Sequence, residues 1–235
     1  MEKGISNGNI SAGSILLMEK PIIAATLSGL FLKHEPWDKA HVLWYKKAAE
    51  KLNDESVNKW ANRSDYFKGV DEVMKRIYPK LSDDERTIKA RETFFDSVCD
   101  YVRKYPEARN NGIINYFNSL KKSYRIALIT TNTKSALERI LSSASLTDFF
   151  DIIEASMPDE KDDKRIVFER FIKKYGKPLV YIGGNRKDSF DYCREKGISC
   201  IFANIEKQLG IEGVESAHNL KELKQKLSRI LTKTL

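Results

Sequence analysis

The residues of this sequence that could do chemistry stand where apolar runs end. The run IIAA at 22–25 is followed by Thr26 and Ser28. A hydroxyl of this kind can act as a nucleophile, but it is weak at its free pKa and needs an adjacent base. Ser28 cannot supply that base, and His34 is the histidine nearest in sequence. His34 has two interpretations, a catalytic base or a residue that packs on the surface or between domains.

Polar or glycine residues also end later apolar runs. RIALI at 125–129 leads into Thr130-Thr131-Asn132-Thr133, and PLVYI at 178–182 leads into Gly183-Gly184-Asn185. In open α/β sheets the ligand crevice lies at the carboxyl ends of the strands. If these runs are parallel strands of one sheet, their polar ends line one crevice.

The elements that must position these residues follow an alternating pattern. After residue 110, apolar strand-like segments alternate with amphipathic helical segments, which is typical of a parallel sheet covered on both faces. The strand-like segments are RIALIT, FDIIEA, PLVYIGG and SCIFAN. IIAAT has the same character, but a block with helical spacing at 35–109 separates it from RIALIT. The pattern predicts an α/β fold with a helical insertion after its first strand.

Composition and charge exclude several classes of protein. No apolar run approaches the roughly 20 residues of a membrane helix, and the N-terminal residues lack the features of a secretory signal, so we expect a cytoplasmic protein without a membrane partner. Three cysteines without a CxxC pair indicate neither a disulfide framework nor a zinc site. The net charge of +8 would suit anionic partners, including nucleic acid. However, most basic residues alternate with acidic ones, as on solvated helical faces.

The ordered set of strand ends resembles the motifs of the haloacid dehalogenase-like (HAD) hydrolase superfamily, from Lys20 to Asn204. This resemblance implies a Rossmann-like core, with a parallel sheet flanked by helices, and an all-helical cap inserted after the first strand. The implied domains are an α/β core at 18–34 and 110–235 and a helical cap at 35–109. Residues 1–17, rich in Gly, Ser and Asn, are predicted to be a flexible extension.

The first family motif, DxDGT, is matched by TLSGL at 26–30. The match implies Thr26 at the place of the nucleophilic aspartate and Ser28 at the place of the acid/base aspartate, with Gly29 retained. A register shifted by one residue would put Ala25 and Leu27 at those two places. Neither register supplies a carboxylate.

The second and third motifs concern phosphate binding. LITTNT resembles the second motif, which implies that the Thr131 hydroxyl and the Asn132 backbone N–H contact the phosphate. The third motif is a lysine at or shortly before the start of a helix. Lys161 and Lys164 both qualify, and the sequence does not choose between them.

The fourth motif is an apolar strand that ends in Gly-Asp, followed by a second aspartate. YIGGNRKD resembles it, with Gly184 in place of the first acid and Asp188 at the second. In the family, Mg²⁺ offsets the phosphoryl charge, and this ion is usually held by one or two carboxylates together with substrate and water. Asp188 is the remaining motif acid and a possible ligand of this ion, but one carboxylate alone would hold it poorly.

These substitutions predict a catalytically impaired, phosphatase-like protein. Backbone N–H groups around Gly29 and Asn132, the Thr131 hydroxyl and a lysine would still form an anion cradle, so we expect binding of a phosphorylated small molecule or a partner. Two alternatives stay open. One is an active phosphohydrolase that uses Mg²⁺ and atypical acids, such as Glu35 or Asp38 from the cap. The other is a basic module that binds nucleic acid. Oligomeric state is left open.

Overall fold

The computed structural model describes residues 20–61, 66–158, 160 and 163–232. The predicted flexible extension at 1–17 and Lys161 therefore lie outside the described residues. The strands are β1 (Ile22–Ala25), β2 (Arg125–Thr133), β3 (Ile152–Ser156), β4 (Val180–Gly183), β5 (Ser199–Ala203) and β6 (Ser216–Ala217). The α-helices are α1 (Glu35–Leu52), α2 (Tyr66–Ile77), α3 (Asp83–Lys104), α4 (Asn111–Leu120), α5 (Lys134–Ser143), α6 (Lys164–Tyr175), α7 (Lys187–Glu195) and α8 (Leu220–Thr232).

The strands form one parallel six-stranded sheet in the order β3-β2-β1-β4-β5-β6. β1 lies near its centre, and Ala25 at its end pairs with Leu128 of β2 and Ile182 of β4. All four β1 residues are buried, and alternate residues contribute to different hydrophobic clusters, Ile23 to one and Ile22 to the other. Helices therefore cover both faces of the sheet, and the predicted α/β fold is confirmed.

Helices α1, α2 and α3, which we call the cap helices, follow β1 directly. A short 3-10 helix at Glu55–Trp60 joins α1 to α2, and the three cap helices share a hydrophobic cluster around Trp44 and Tyr45. Ser82 caps α3, because its hydroxyl accepts a hydrogen bond from the Glu85 N–H at 3.3 Å while the Glu85 carboxylate accepts one from the Ser82 N–H at 2.8 Å. The division of the chain into core and cap at residues 34/35 and 109/110 stays a prediction.

Two further details concern the C-terminal part of the sheet. The Asn219 side chain accepts a hydrogen bond from the Glu222 N–H at 3.0 Å and so caps α8. β6 has two residues and was not predicted, because so short a segment shows no periodicity.

Within the described ranges, no helix combines the length and apolar character that crossing a membrane requires.

Candidate functional site

A cavity of about 600 Å³ lies between the carboxyl ends of the strands and the cap helices. Its floor is formed by residues that end β1, β2 and β4, and its roof by side chains of α1, α2 and α3. The floor residues are Thr26, Leu27, Ser28, Thr130, Thr131, Asn132, Thr133, Gly184, Asn185 and Arg186. The polar strand ends that the sequence singled out are thus brought to one surface by the parallel topology.

Thr26 is tied to β4 through both its backbone and its side chain. Its N–H donates to the Ile182 carbonyl at 3.0 Å, and its hydroxyl is hydrogen-bonded to the Tyr181 phenol. Burial of Tyr181 raises the pKa of that phenol well above its ordinary range, so the phenol stays protonated at neutral pH. A protonated phenol is not a base, and this contact does not activate Thr26 as a nucleophile.

The chain turns sharply after β1 at Gly29. Its φ of +77° lies in the left-handed region, and a Cβ on this residue would come within 2.3 Å of Cε1 of His34. The Gly29 N–H donates to the Leu32 carbonyl at 2.7 Å, inside the turn. The turn itself therefore supplies an acceptor for this N–H, and its contact with an anion stays a prediction.

His34 is held by the loop that follows β5. Its backbone N–H donates to both carboxylate oxygens of Glu206, at 3.1 and 3.0 Å, and its Nδ1 contacts the same carboxylate. The side-chain nitrogen of Gln208 lies 3.1 Å from the same Nδ1. A carboxylate accepts hydrogen bonds, so the tautomer with the proton on Nδ1 suits the contact with Glu206, and in that tautomer Nε2 is the ring nitrogen that can contact a ligand.

Gly184, which replaces the first acid of the fourth motif, is closely surrounded. A Cβ on Gly184 would lie 2.6 Å from the Ser28 carbonyl oxygen and 3.4 Å from Nε2 of His34. The first distance is shorter than real Cβ contacts, and the obstacle is backbone. The space for a carboxylate at this position is closed by the β1 loop and the His34 ring.

At the end of β2, the Thr131 hydroxyl and the Asn132 N–H both have hydrogen-bond partners. The Thr131 hydroxyl accepts a hydrogen bond from the Arg186 guanidinium at 3.1 Å and lines the cavity, as its predicted role requires. The Asn132 N–H donates to the Thr130 hydroxyl at 3.1 Å. A neighbouring hydroxyl therefore satisfies this N–H, and its contact with phosphate stays a prediction.

Arg186 and Asp188 form an ion pair in the loop after β4. The guanidinium lies 2.7 Å from one carboxylate oxygen of Asp188 and 3.3 Å from the other, and the Ser189 N–H also donates to the carboxylate at 2.8 Å. Both oxygens of Asp188 are thus engaged, beside a permanent positive charge. Arg186 was not predicted as a site residue, although its position within the fourth motif, as a basic residue, could have indicated it.

Lys164 opens α6 and is buried, with 3% of its surface exposed. Its Nζ donates to the Ile129 carbonyl of β2 and lies 5.9 Å from the centre of the Tyr181 ring. The preceding Asp163 caps the helix by accepting a hydrogen bond from the Arg165 N–H at 2.8 Å. Of the two lysines that the sequence offered, Lys164 lines the cavity, and Lys161 lies outside the described residues.

Comparison with known proteins decides the family. Residues 39–203 match the sequence profile of the haloacid dehalogenase-like hydrolases, which is more than half of the chain. The chain belongs to this family. The matched part of this HAD-family protein begins after β1, so it does not include the altered first motif.

Solved HAD structures share the fold. The HAD phosphatase from Thermococcus onnurineus superposes with a TM-score of 0.60 at 17% identity, over 88% of this chain and 97% of that one. A predicted phosphatase from Clostridium acetobutylicum gives 0.59 at 15%, over 90% and 99%. The magnesium-bound structure of YfnB from Bacillus subtilis gives 0.58 at 12%, over 89% and 99%. At these identities the likeness shows the fold alone, and no curated protein sequence matches the chain significantly.

The residues present do not fit the Mg²⁺ ion of active family members. In the part of the chain that the structure describes, no group of three or more His, Cys, Asp or Glu side chains could hold a metal ion. Among the described cavity-lining residues, the sole carboxylate belongs to Asp71, on the cap side. Asp188 is paired with Arg186, and the position of Gly184 has no room for a carboxylate. Mg²⁺ prefers carboxylate and other oxygen ligands, and this donor set offers too few.

The charges around the cavity favour an anionic ligand. Lys164 and Arg186 lie on the core side, and Arg86 and Arg91 lie on α3, against the one carboxylate of Asp71. Aromatic rings from the cap side, including Trp37, Phe94 and Phe95, line the same space. The cavity therefore combines cationic groups for an anion with apolar surface for the body of a small molecule.

We expect Gly184→Ala to destabilise the protein by about 1–3 kcal/mol, the usual cost of an overpacked position. The cause is the approach of the new Cβ to the Ser28 carbonyl, and the measurement is the free energy of unfolding in urea. Gly210→Ala is the matched control, because a Cβ there meets no atom within 4 Å. Equal stability of the two variants would contradict the closed space at Gly184.

We expect Lys164→Met to lower the free energy of unfolding by about 1–3 kcal/mol, because the Ile129 carbonyl would lose a charged donor. Lys173→Met, at an exposed position of the same helix, is the control and should change stability by less than about 0.5 kcal/mol. Chemical denaturation of both variants measures the difference. If the two behave alike, Lys164 has no structural role at the end of β2.

Proposed function

We propose that this HAD-family protein binds a phosphorylated small molecule in the cavity and is catalytically impaired as a phosphatase. The observation that carries this proposal is the closed space at Gly184, where the Ser28 carbonyl and the His34 ring stand in the way of a carboxylate. Magnesium-assisted phosphoryl transfer in the family depends on carboxylates at this place and in the first motif. This chain has Gly184, Thr26 and Ser28 there instead.

The first motif supports the same conclusion. A hydroxyl nucleophile requires a base beside it, and the Thr26 hydroxyl is hydrogen-bonded to the protonated phenol of Tyr181. An aspartyl-phosphate intermediate cannot form at a threonine. The alternative of an active phosphohydrolase would need another base, and His34 is the histidine nearest to the first motif.

The surroundings of the cavity support an anionic ligand of small-molecule size. A volume of about 600 Å³ lies within the range of ligand pockets. Lys164, Arg186 and the Thr131 hydroxyl can bind a phosphate group on the core side, and Arg91 adds positive charge from the cap side. Two of the similar structures come from proteins described as phosphatases, which supports a phosphorylated ligand. No described feature favours nucleic acid over such a ligand.

The test pairs a turnover assay with a binding assay. We expect p-nitrophenyl phosphate to be hydrolysed no faster with Mg²⁺ than with EDTA, and we expect phenyl phosphate to bind in calorimetric titration. Arg186→Ala should weaken binding by about tenfold or more, because it removes a charged donor from the cavity. Arg194→Ala, on the exposed side of α7, is the matched control and should bind normally.

Two outcomes would contradict the proposal. Turnover that requires Mg²⁺ and disappears in Thr131→Ala or Asp188→Ala would show an active phosphatase. Failure of the unmodified protein to bind phenyl phosphate would remove the phosphorylated ligand.

A further inference from the structure

We propose that His34, oriented by Glu206, takes the place of the metal ion and contacts the phosphate group of the ligand through Nε2. Binding of the phosphorylated ligand then needs no metal ion. This inference rests on the proposed function, since it concerns the same cavity and the same ligand. It adds a binding residue, His34, and a positioning residue, Glu206, that the family motifs do not contain.

Glu206 orients the His34 ring. This residue lies in the loop that follows β5, and its carboxylate contacts His34 at both the backbone N–H and Nδ1. The Glu206 and His34 side chains are partly buried, with 26% and 16% of their surfaces exposed. A histidine whose Nδ1 proton is held by a carboxylate has a fixed tautomer and a fixed direction of Nε2, as in histidines oriented for ligand binding.

Nε2 of His34 lies beside two glycines of the motifs. It is 2.8 Å from the position that a Cβ on Gly29 would take and 3.4 Å from that of a Cβ on Gly184, and His34 lines the cavity. Both glycines belong to the motifs that supply acids in active members. The ring thus occupies the space beside the missing carboxylates, and the two glycines have no side chain that would exclude it.

The chemistry at Nε2 depends on the protonation of the ring. When the ring is protonated, Nε2–H donates a charge-assisted hydrogen bond to a phosphate oxygen, and Glu206 stabilises the positive charge on the ring. When the ring is neutral, Nε2 accepts a hydrogen bond from a protonated phosphate oxygen. The protonated ring thus contacts a phosphate oxygen lone pair, as a metal ion would otherwise do. Arg186 and the Thr131 hydroxyl lie on the same floor and can bind further oxygens of the phosphate group.

The carboxylates of Asp188 and Glu206 are both held by neighbouring side chains. Asp188 is held by Arg186, so it does not offer a free carboxylate to a cation. Glu206 is held by His34 in the same way. A phosphate that reaches the strand ends therefore meets donor groups, and neither of these two carboxylates is free to hold Mg²⁺ beside it.

The experiment is a calorimetric titration of the full chain with phenyl phosphate, in EDTA and in Mg²⁺. We expect the same dissociation constant in both buffers. His34→Ala should weaken binding by about tenfold or more, and His34→Gln should recover part of the loss, because its amide N–H can donate. His218→Gln, at an exposed histidine, is the control and should bind as the unmodified protein does.

The role of Glu206 is tested by NMR of the imidazole nitrogens in the unmodified protein and in Glu206→Gln. We expect phenyl phosphate to move the Nε2 signal of His34, and we expect Glu206→Gln to shift the Nδ1 signal and weaken binding. Glu212→Gln, at an exposed position in the same segment, should change neither. This readout also decides the matter if His34→Ala fails to fold, because it needs no substitution at His34.

The outcomes separate this inference from the proposed function. If the unmodified protein does not bind phenyl phosphate, the proposed function fails and the inference fails with it. If binding is unaffected by His34→Ala, is tightened about tenfold or more by Mg²⁺, or leaves the Nε2 signal unmoved, the inference is overturned while the phosphorylated ligand stands.

Discussion

The parallel pairing of β1 with β2 and β4 places the candidate site. Ala25 pairs with both Leu128 and Ile182, and the Thr26 N–H continues the pairing by donating to the Ile182 carbonyl. This register sets the ends of β1, β2 and β4 at the same edge of the sheet. The three polar strand ends converge for this reason, and the cavity forms where the cap helices cover them.

The residues around the closed space are interdependent. Gly184 leaves room for the Ser28 carbonyl, Gly29 leaves room for the His34 ring, and Glu206 holds that ring in place. Protein interiors are close-packed, so a missing side chain is replaced by other atoms or by a cavity. Here the β1 loop and an imidazole fill the space. Restoring a single carboxylate at position 184 would therefore create a clash before it created a metal site.

The sequence predicted the α/β fold and the family, because periodicity and motif order are local properties of the chain. It also predicted Thr131 as a phosphate-binding hydroxyl, and this residue lines the cavity, while the role itself stays a prediction. It did not predict the His34–Glu206 contact, because the two residues are 172 positions apart and no local pattern links them. Nor did it predict that the Gly29 and Asn132 N–H groups, which it assigned to anion binding, each find an acceptor within their own turn or strand end. The sequence could not choose between Lys161 and Lys164, because the burial of Lys164 against β2 is a tertiary contact that no local pattern shows.

The central claim is that a protein side chain, and no metal ion, meets the phosphate group in this cavity. The most direct measurement is a crystal structure of the full chain grown with phenyl phosphate and Mn²⁺, with anomalous diffraction data to locate the metal. Our account predicts a phosphate group within hydrogen-bond distance of Nε2 of His34 and no anomalous peak in the cavity. An Mn²⁺ peak between the phosphate and the Ser28 carbonyl or Asp188 would contradict it.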